Sequence, residues 1–436
     1  MAMTDVDVAH LLRRSGFDAS PAEVALLTGQ ELTAVVDKIL DTTANPPDTR
    51  PAALDLPVDQ TSNRLNGLRQ SWHDRIASTP TPIVEKMTLF WHGHFTVEAS
   101  DVNRPNALYE MIKYYRANAL GNYRTLAQGM ALLPAMLMYL DNDRNRKQSP
   151  NQNFARELLE LFLLGVGNYT EADVIAAAAA WTGHSLTNDA ATDTATYLFK
   201  PADHDTGNKT FFGTTKNWDG PQIIDELFDN ATTRAIVAKF LVTKLWSFFA
   251  KPNPAANVVD ELAAAFIAAN FEIKPLLRAL FLRPELYAAD AKTGLVRPPV
   301  EYVASIMRAT GKTAQYIKTD AYMASLGQQL FSPPNVSGWK PNAYWISAAS
   351  AGARARFVDT LAIQLAKDAF LADSATKTPA AAVDAALAAF HVTHPTPGLR
   401  TLLTDWVTRQ RAANRATAEP RYLAMLVLLS PEIQLA

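Results

Sequence analysis

The stretch SPNQNFARELLELFLLG, Ser149 to Gly165, carries helix punctuation and a nearly continuous apolar surface. Ser149 suits an N-cap, Pro150 the first helical position, Gln152 a capping box and Gly165 the stop. At about 100° per residue, Phe154, Leu158, Leu159, Leu161, Phe162, Leu163 and Leu164 cover most of the circumference. Asn153, Arg156, Glu157 and Glu160 share an arc of roughly 100°. A helix apolar on most sides is buried on most sides, so the polar stripe must meet solvent, partner charges or a cavity. The solvated alternative includes an Arg156–Glu160 pair at i, i+4. The cavity alternative makes Glu157 an acid/base candidate, because burial beside Glu160 raises the pKa of one of the two carboxyls.

The same punctuation recurs on either side. SPAEVALLTG (20–29) has Ser20 as cap, Pro21 next, Glu23 at the capping-box position and Gly29 at the stop. TPIVEKMTLFWHG (81–93) runs from Thr81 and Pro82 to Gly93, and TEADVIAAAAAWTG opens on Thr170 with Asp173 three residues on. Further helices are expected at Pro221–Phe228, Thr233–Phe249, Val258–Ala269, Lys274–Leu282, Pro299–Ala309, Tyr322–Leu330, Ser350–Phe370 and Tyr422–Leu429. Strand signals are sparse. ATYLFKPADHDTGNKTFFG (195–213) suggests a hairpin of two β-prone runs around a turn, and DTTANPPDTRPAALDLPVDQ (41–60) an extended surface connection. The expected fold is all-α, a large multi-helix array with one small β-hairpin insertion at about 195–213. A main helical domain over 1–370 would carry C-terminal helices, 371–436, packed on it.

Composition removes several function classes. The 436 residues are nearly half apolar, ample for a core larger than single cores usually reach, about 250–300 residues. The 41 basic and 43 acidic residues leave a charge of −2 without like-charge runs, so no basic field for nucleic acid is expected. Without cysteine there is no disulfide, thiolate nucleophile or zinc–thiolate site. The start, MAMTDVDVAHLLRRSGF, lacks the apolar core of a signal peptide, and no segment offers a membrane span. The chain as written is therefore expected to be cytoplasmic and free of membrane, and exported only if its start has been trimmed. Nothing in the sequence sets an oligomeric state.

The loop YLDNDRNRKQSPNQN (139–153) superficially resembles a calcium loop, but Arg146 replaces the required glycine and Gln152 the bidentate glutamate. A hydrogen-bonding loop suits a polyhydroxylated ligand better, with Asp141 as a second carboxylate and Asn145, Asn153 and Arg156 orienting hydroxyls. MTLFWHGHFT (87–96) places His92 and His94 two residues apart beside Trp91. On a continuous helix such side chains diverge by about 200° and cannot share a metal. An extended segment after Gly93 would leave that open. The readings are a pocket wall, with Trp91 stacking on a substrate, or a helix-end ring and a core histidine. FSPPNVSGWKPNAYWISAAS (331–350) is a proline-stiffened aromatic loop, a sugar platform through Trp339 and Asn335 or a lid packed on the core. His204 and Asp205 stand at the hairpin turn, where Asp usually makes turn bonds. His184 reads as a helix-end histidine. No nucleotide fingerprint, nucleophile elbow or Walker lysine is present, so no cofactor is expected.

Several of these segments together resemble the bacterial family known as domain of unknown function 1800. The resemblance runs through HLLRRSGFDASPAEV, EKMTLFWHGHF, YLDNDRNRKQSPNQNFARELLELFLLGVGNYTEADV, HDTGNKTFFG, PPNVSGW and LLSPEI, across nearly the whole chain. It implies no established reaction and transfers no catalytic residue. Family members often carry export signals and are often encoded beside a sulfatase-like family. The resemblance therefore implies extracellular polymer processing and a protein partner from a neighbouring gene as a candidate. Here the export signal is missing, His184 stands where Trp is expected, and Gln152 where Glu is expected.

Three functional expectations follow. The first is a metal-independent hydrolase of a carbohydrate-like small molecule or polymer. Its general acid would be Glu157, with Glu160 or Asp141 as the second carboxylate, His92 and His94 in the same hollow, and Trp91, Trp339, His204 and Asp205 at the substrate; paired carboxylates about 5–10 Å apart suit glycoside hydrolysis. The second is a metal-dependent enzyme joining His92 or His94 to Glu157. The third is a binding or scaffold protein without chemistry.

Overall fold

The structure, a computed structural model, describes residues 2–366, 376–415 and 419–436. Helices dominate and the fold is all-α, as the periodicity predicts. The capping boxes at Ser20/Glu23 and Thr170/Asp173 both form, each satisfying two free N–H groups within four residues. Thr233–Phe249 is helical at the expected bounds, and Pro299–Thr310 and Glu419–Leu428 at nearly those expected. The expected end of the helix begun near Ser350 and the 370/371 domain boundary lie outside the described residues. Within them, helix Ala348–Leu365 packs on Glu419–Leu428, and one apolar cluster runs from Met3 to Ile433. No helix among the described residues is long and apolar enough to cross a membrane.

The β structure differs from expectation. The two runs flanking the 200–208 turn do not pair with each other. Instead β1 (His184–Asp189) pairs antiparallel with β2 (Thr194–Phe199), and β3 (Lys209–Phe211) with β4 (Thr214–Lys216). His184 is therefore a strand residue opposite Phe199 rather than a helix end. The tip of the first hairpin decides this. Asp193, at φ 53°, is buried against Arg64 at 2.9 Å and accepts the Asn106 N–H at 3.1 Å, tying the hairpin to two main-body helices.

Two further differences bear on the site. The helix Pro82–His94 continues through Gly93 to include both histidines, and nearly all of it is buried. Its charged residues survive burial through pairing: Glu85 with Arg75 and Arg116, Lys86 with Glu301 at 2.7 Å. The helix does not begin at Ser149 but at Asn153, with Gln152 at its N-cap position, so the Ser149/Gln152 capping box does not form. The Asn145 side-chain oxygen holds the Asn151 N–H, and Asn151 in turn accepts the Asn153 N–H, which starts the helix later. From Leu158 to Leu163 this helix is wound as a π-helix.

Candidate functional site

A π turn bonds each N–H to the carbonyl five residues back and is frequent at functional sites. Here Leu164 and Gly165 both donate to the Leu159 carbonyl, at 2.9 and 3.2 Å, which leaves the Leu161 and Phe162 carbonyls without backbone donors among the described residues. Buried orphan carbonyls need partners from elsewhere. Phe162 O accepts the Tyr123 hydroxyl at 2.6 Å and His94 Nε2 at 3.0 Å, and Leu161 O accepts Lys244 Nζ at 2.8 Å.

These bonds assign the His94 tautomer. A carbonyl can only accept, so Nε2 carries the proton and Nδ1 presents its lone pair to Lys244 Nζ, 3.1 Å away. Burial, then the neighbouring Lys244 charge, holds the His94 pKa well below its ordinary value, so the ring is neutral. Burial also pushes Lys244 down, to about 8. Its neighbours are neutral: the Leu161 carbonyl, His94 and the face of Phe240, whose centre is 4.5 Å away. The negative end of the helix dipole is nearby compensation, but no carboxylate pairs with Lys244 among the described residues.

Lys244 and His94 line a hollow of about 370 Å³, within the usual range for small-molecule sites. Helix Pro82–His94 contributes Phe90 and Gly93, helix Thr233–Phe249 contributes Phe248, and the proline-stiffened loop contributes Trp339 and Trp345. Phe90 stacks on His94, one helical turn on, at 5.7 Å. A side chain at Gly93 would begin in open space. Gly338 is the opposite case: at φ 76°, an added Cβ would lie 2.5 Å from the Gly93 carbonyl, so the loop can close on the helix only with glycine there.

The two histidines diverge, as side chains two residues apart on a helix must. His92 Nε2 accepts the Phe331 N–H at 3.0 Å and its ring stacks on Trp339 at 5.3 Å, so it seats the aromatic loop. Trp91 is fully buried and donates to Ala119 O at 3.1 Å. Of the residues selected from sequence, the hollow brings His94 and Trp339 together; Glu157, Glu160 and Asp141 are not among its walls.

The carboxylate stripe has other partners. Arg156 pairs with Glu171 at 2.7 Å rather than with Glu160, and Glu160 accepts the Tyr169 hydroxyl. Glu157 is half-buried, and burial followed by the Glu160 charge raises its pKa, against Arg156. Asp141 adopts a left-handed backbone, φ 54°, 3.7 Å from Arg144. Asn145 is buried, its amide donating to Asn142 Oδ1 and Ala178 O at 3.1 and 2.9 Å, and Asn153 is exposed. His204 Nδ1 donates to Thr182 O at 2.8 Å, and Asp205 caps the Gly207 N–H at 2.7 Å. Asn335 is exposed and holds Ser337 in a turn. Among the described residues, no group of three or more His, Cys, Asp or Glu side chains is placed to hold a metal ion.

Lys244 was not among the residues selected from sequence. Its signal lies in FLVTKLWSF: a lysine with Phe240 and Phe248 four residues before and after it shares a face with two aromatics.

A family model described as "Protein of unknown function (DUF1800)" matches residues 10–435. No curated protein and no solved structure matches the chain.

Proposed function

Because the chain belongs to the DUF1800 family, whose description names no reaction, we propose from the pocket itself that this protein binds an amphipathic organic anion between Lys244 and Trp339. One observation carries this reading: a lysine with only neutral partners lines an apolar hollow. A cation held away from water without a counter-charge is costly, and an incoming carboxylate would supply that charge where it is worth most. Charge-assisted hydrogen bonds are roughly twice as strong as neutral ones. Phe90, Phe248 and Trp339 offer the apolar surface for a flat hydrophobic body.

The test is isothermal titration calorimetry with naphthalene-2-acetate and its uncharged amide. The acid should bind at least about tenfold more tightly than the amide, with the preference lost in Lys244→Met, as expected for one hydrogen bond to a charged group. Gly93→Leu, which fills the open space at Gly93, should abolish binding of both. Equal affinity for acid and amide would remove the proposal.

A second reading is favoured by a separate observation, the raised Glu157 carboxyl beside Glu160. It is a metal-independent hydrolase of a carbohydrate-like polymer with Glu157 as general acid. Screening a polysaccharide panel tests it: any hydrolysis found should fall at least about a hundredfold in Glu157→Gln. Retained activity in that variant would end this assignment.

A further inference from the structure

We propose that Lys244 is also a nucleophile, whose amine condenses with an aldehyde or ketone carbonyl on a pocket ligand to give an imine and water. The inference rests on the reading of the hollow as the ligand site and narrows its ligand to an amphipathic carbonyl compound.

Nζ is tetrahedral, with one position taken by the side chain. Two more are directed by hydrogen bonds to Leu161 O at 2.8 Å and His94 Nδ1 at 3.1 Å. Both partners accept, so both bonds need N–H groups on the lysine. The fourth position holds the third proton in the ammonium and the lone pair in the amine, and no acceptor among the described residues takes that proton. Deprotonation therefore breaks neither bond. It converts a half-buried cation into a positioned neutral amine, and Lys244 is depressed to about 8 by desolvation, in keeping with that.

Lys86 and Lys209 differ in this respect. The Lys86 ammonium is matched by Glu301, and that of Lys209 is surrounded by four oxygen acceptors. Only Lys244 of these three lines the hollow.

The step balances without a further reagent. The lone pair attacks the carbonyl carbon as the C=O π electrons move to oxygen. The nitrogen passes a proton to His94 Nδ1, and the oxygen takes it to form a carbinolamine. The nitrogen's remaining proton and the carbinolamine hydroxyl then leave together as water while the nitrogen lone pair forms the C=N bond. The sum is amine plus carbonyl giving imine plus water. The apolar walls around Phe90, Phe248 and Trp339 disfavour the return of water and so favour the condensed form.

The experiment treats the intact protein with 2-naphthaldehyde and sodium cyanoborohydride at pH 8, then maps reduced adducts by peptide mass spectrometry. Lys244 should be labelled at least about tenfold faster than Lys274, which is exposed and outside the hollow, since each unit of pKa depression raises the amine fraction tenfold. Excess naphthalene-2-acetate should suppress labelling at Lys244 and leave Lys274 unchanged. Labelling of Lys244 no faster than Lys274, with the acid still bound in calorimetry, overturns the nucleophile and leaves the pocket reading standing. Absence of acid binding together with indiscriminate labelling overturns both. Wild-type protein suffices for these outcomes, so none depends on a variant that fails to fold.

Discussion

Two lysines in different parts of the molecule, Lys209 buried and Lys244 half-buried, show how the same side chain becomes a staple in one place and a site in another. At the start of β3, Lys209 donates to Asp205 O at 2.5 Å, Gly207 O at 2.8 Å, Trp218 O at 3.2 Å and Asn217 Oδ1 at 3.3 Å, with the Asp205 carboxylate 3.7 Å away. Every proton is engaged and a counter-charge is at hand. At the end of the π-wound helix, Lys244 has two neutral acceptors, no carboxylate and an open hollow beside it. Both are shifted down by burial first. Burial therefore does not separate them. What does is whether the local structure completes the hydrogen-bonding of the ammonium.

The largest expected effect tests the staple. Lys209→Met strands three carbonyls and an amide oxygen in a closed turn and should lower unfolding free energy by about 3 kcal/mol in urea titrations. Lys244→Met strands two acceptors but also removes an unpaired buried charge, so its loss should stay below roughly 1.5 kcal/mol. Equal destabilisation by the two changes would erase the distinction.

Changing pH sharpens it further. The folded pKa of Lys244, about 8, lies below the ordinary value of 10.5. Between these values the unfolded chain binds more protons than the folded one, so this group makes stability rise with pH across that window. Below about 8 both states are protonated and the burial penalty is fully present. Urea midpoints for wild type should therefore gain more between about pH 8 and pH 10, inside the window, than those of Lys244→Met. Binding of naphthalene-2-acetate should weaken over the same range. His94, Glu301 and Lys340 also face the hollow, which is why the comparison with the variant is needed.

The smallest effect concerns the carboxylate stripe. The Glu157 carboxyl is raised above 4.5 by burial and by Glu160. Its ionised form is thus less favourable in the folded protein, a penalty present at neutral pH and lost as pH falls below that value. Glu157→Gln should raise stability by at most about 0.5 kcal/mol at pH 7 and leave it unchanged near pH 3, read from thermal midpoints.

How much of this was legible depended on how local the deciding chemistry is. The boxes at Ser20/Glu23 and Thr170/Asp173 are closed by residues three apart, and both were readable. Ser149/Gln152 has the same pattern but fails, because the Asn145 and Asn151 side chains take the Asn151 and Asn153 N–H groups and move the helix start to Asn153. The polar helix Thr61–Ser78 escaped notice because its buried face is Arg64, Leu68, Trp72, His73 and Ile76, where hydropathy is weak. The hairpins were mispaired because β1 is mostly polar and its tip is held by Arg64, far away in sequence. His94 and Trp339 stood out by residue type. Lys244 did not, since the His94 that marks its role is 150 positions distant.

Local patterning by itself determined that the chain is helical, where several helices start, and that the Ser149–Gly165 segment is buried on most sides, because capping and amphipathic periodicity act within a few residues. Only the tertiary structure decided that this segment ends in a π turn and that His94, Tyr123 and Lys244 converge on its free carbonyls. The physical reason is that an unpaired buried carbonyl must be satisfied from elsewhere, and the donors available to it depend on which distant helices the core brings alongside.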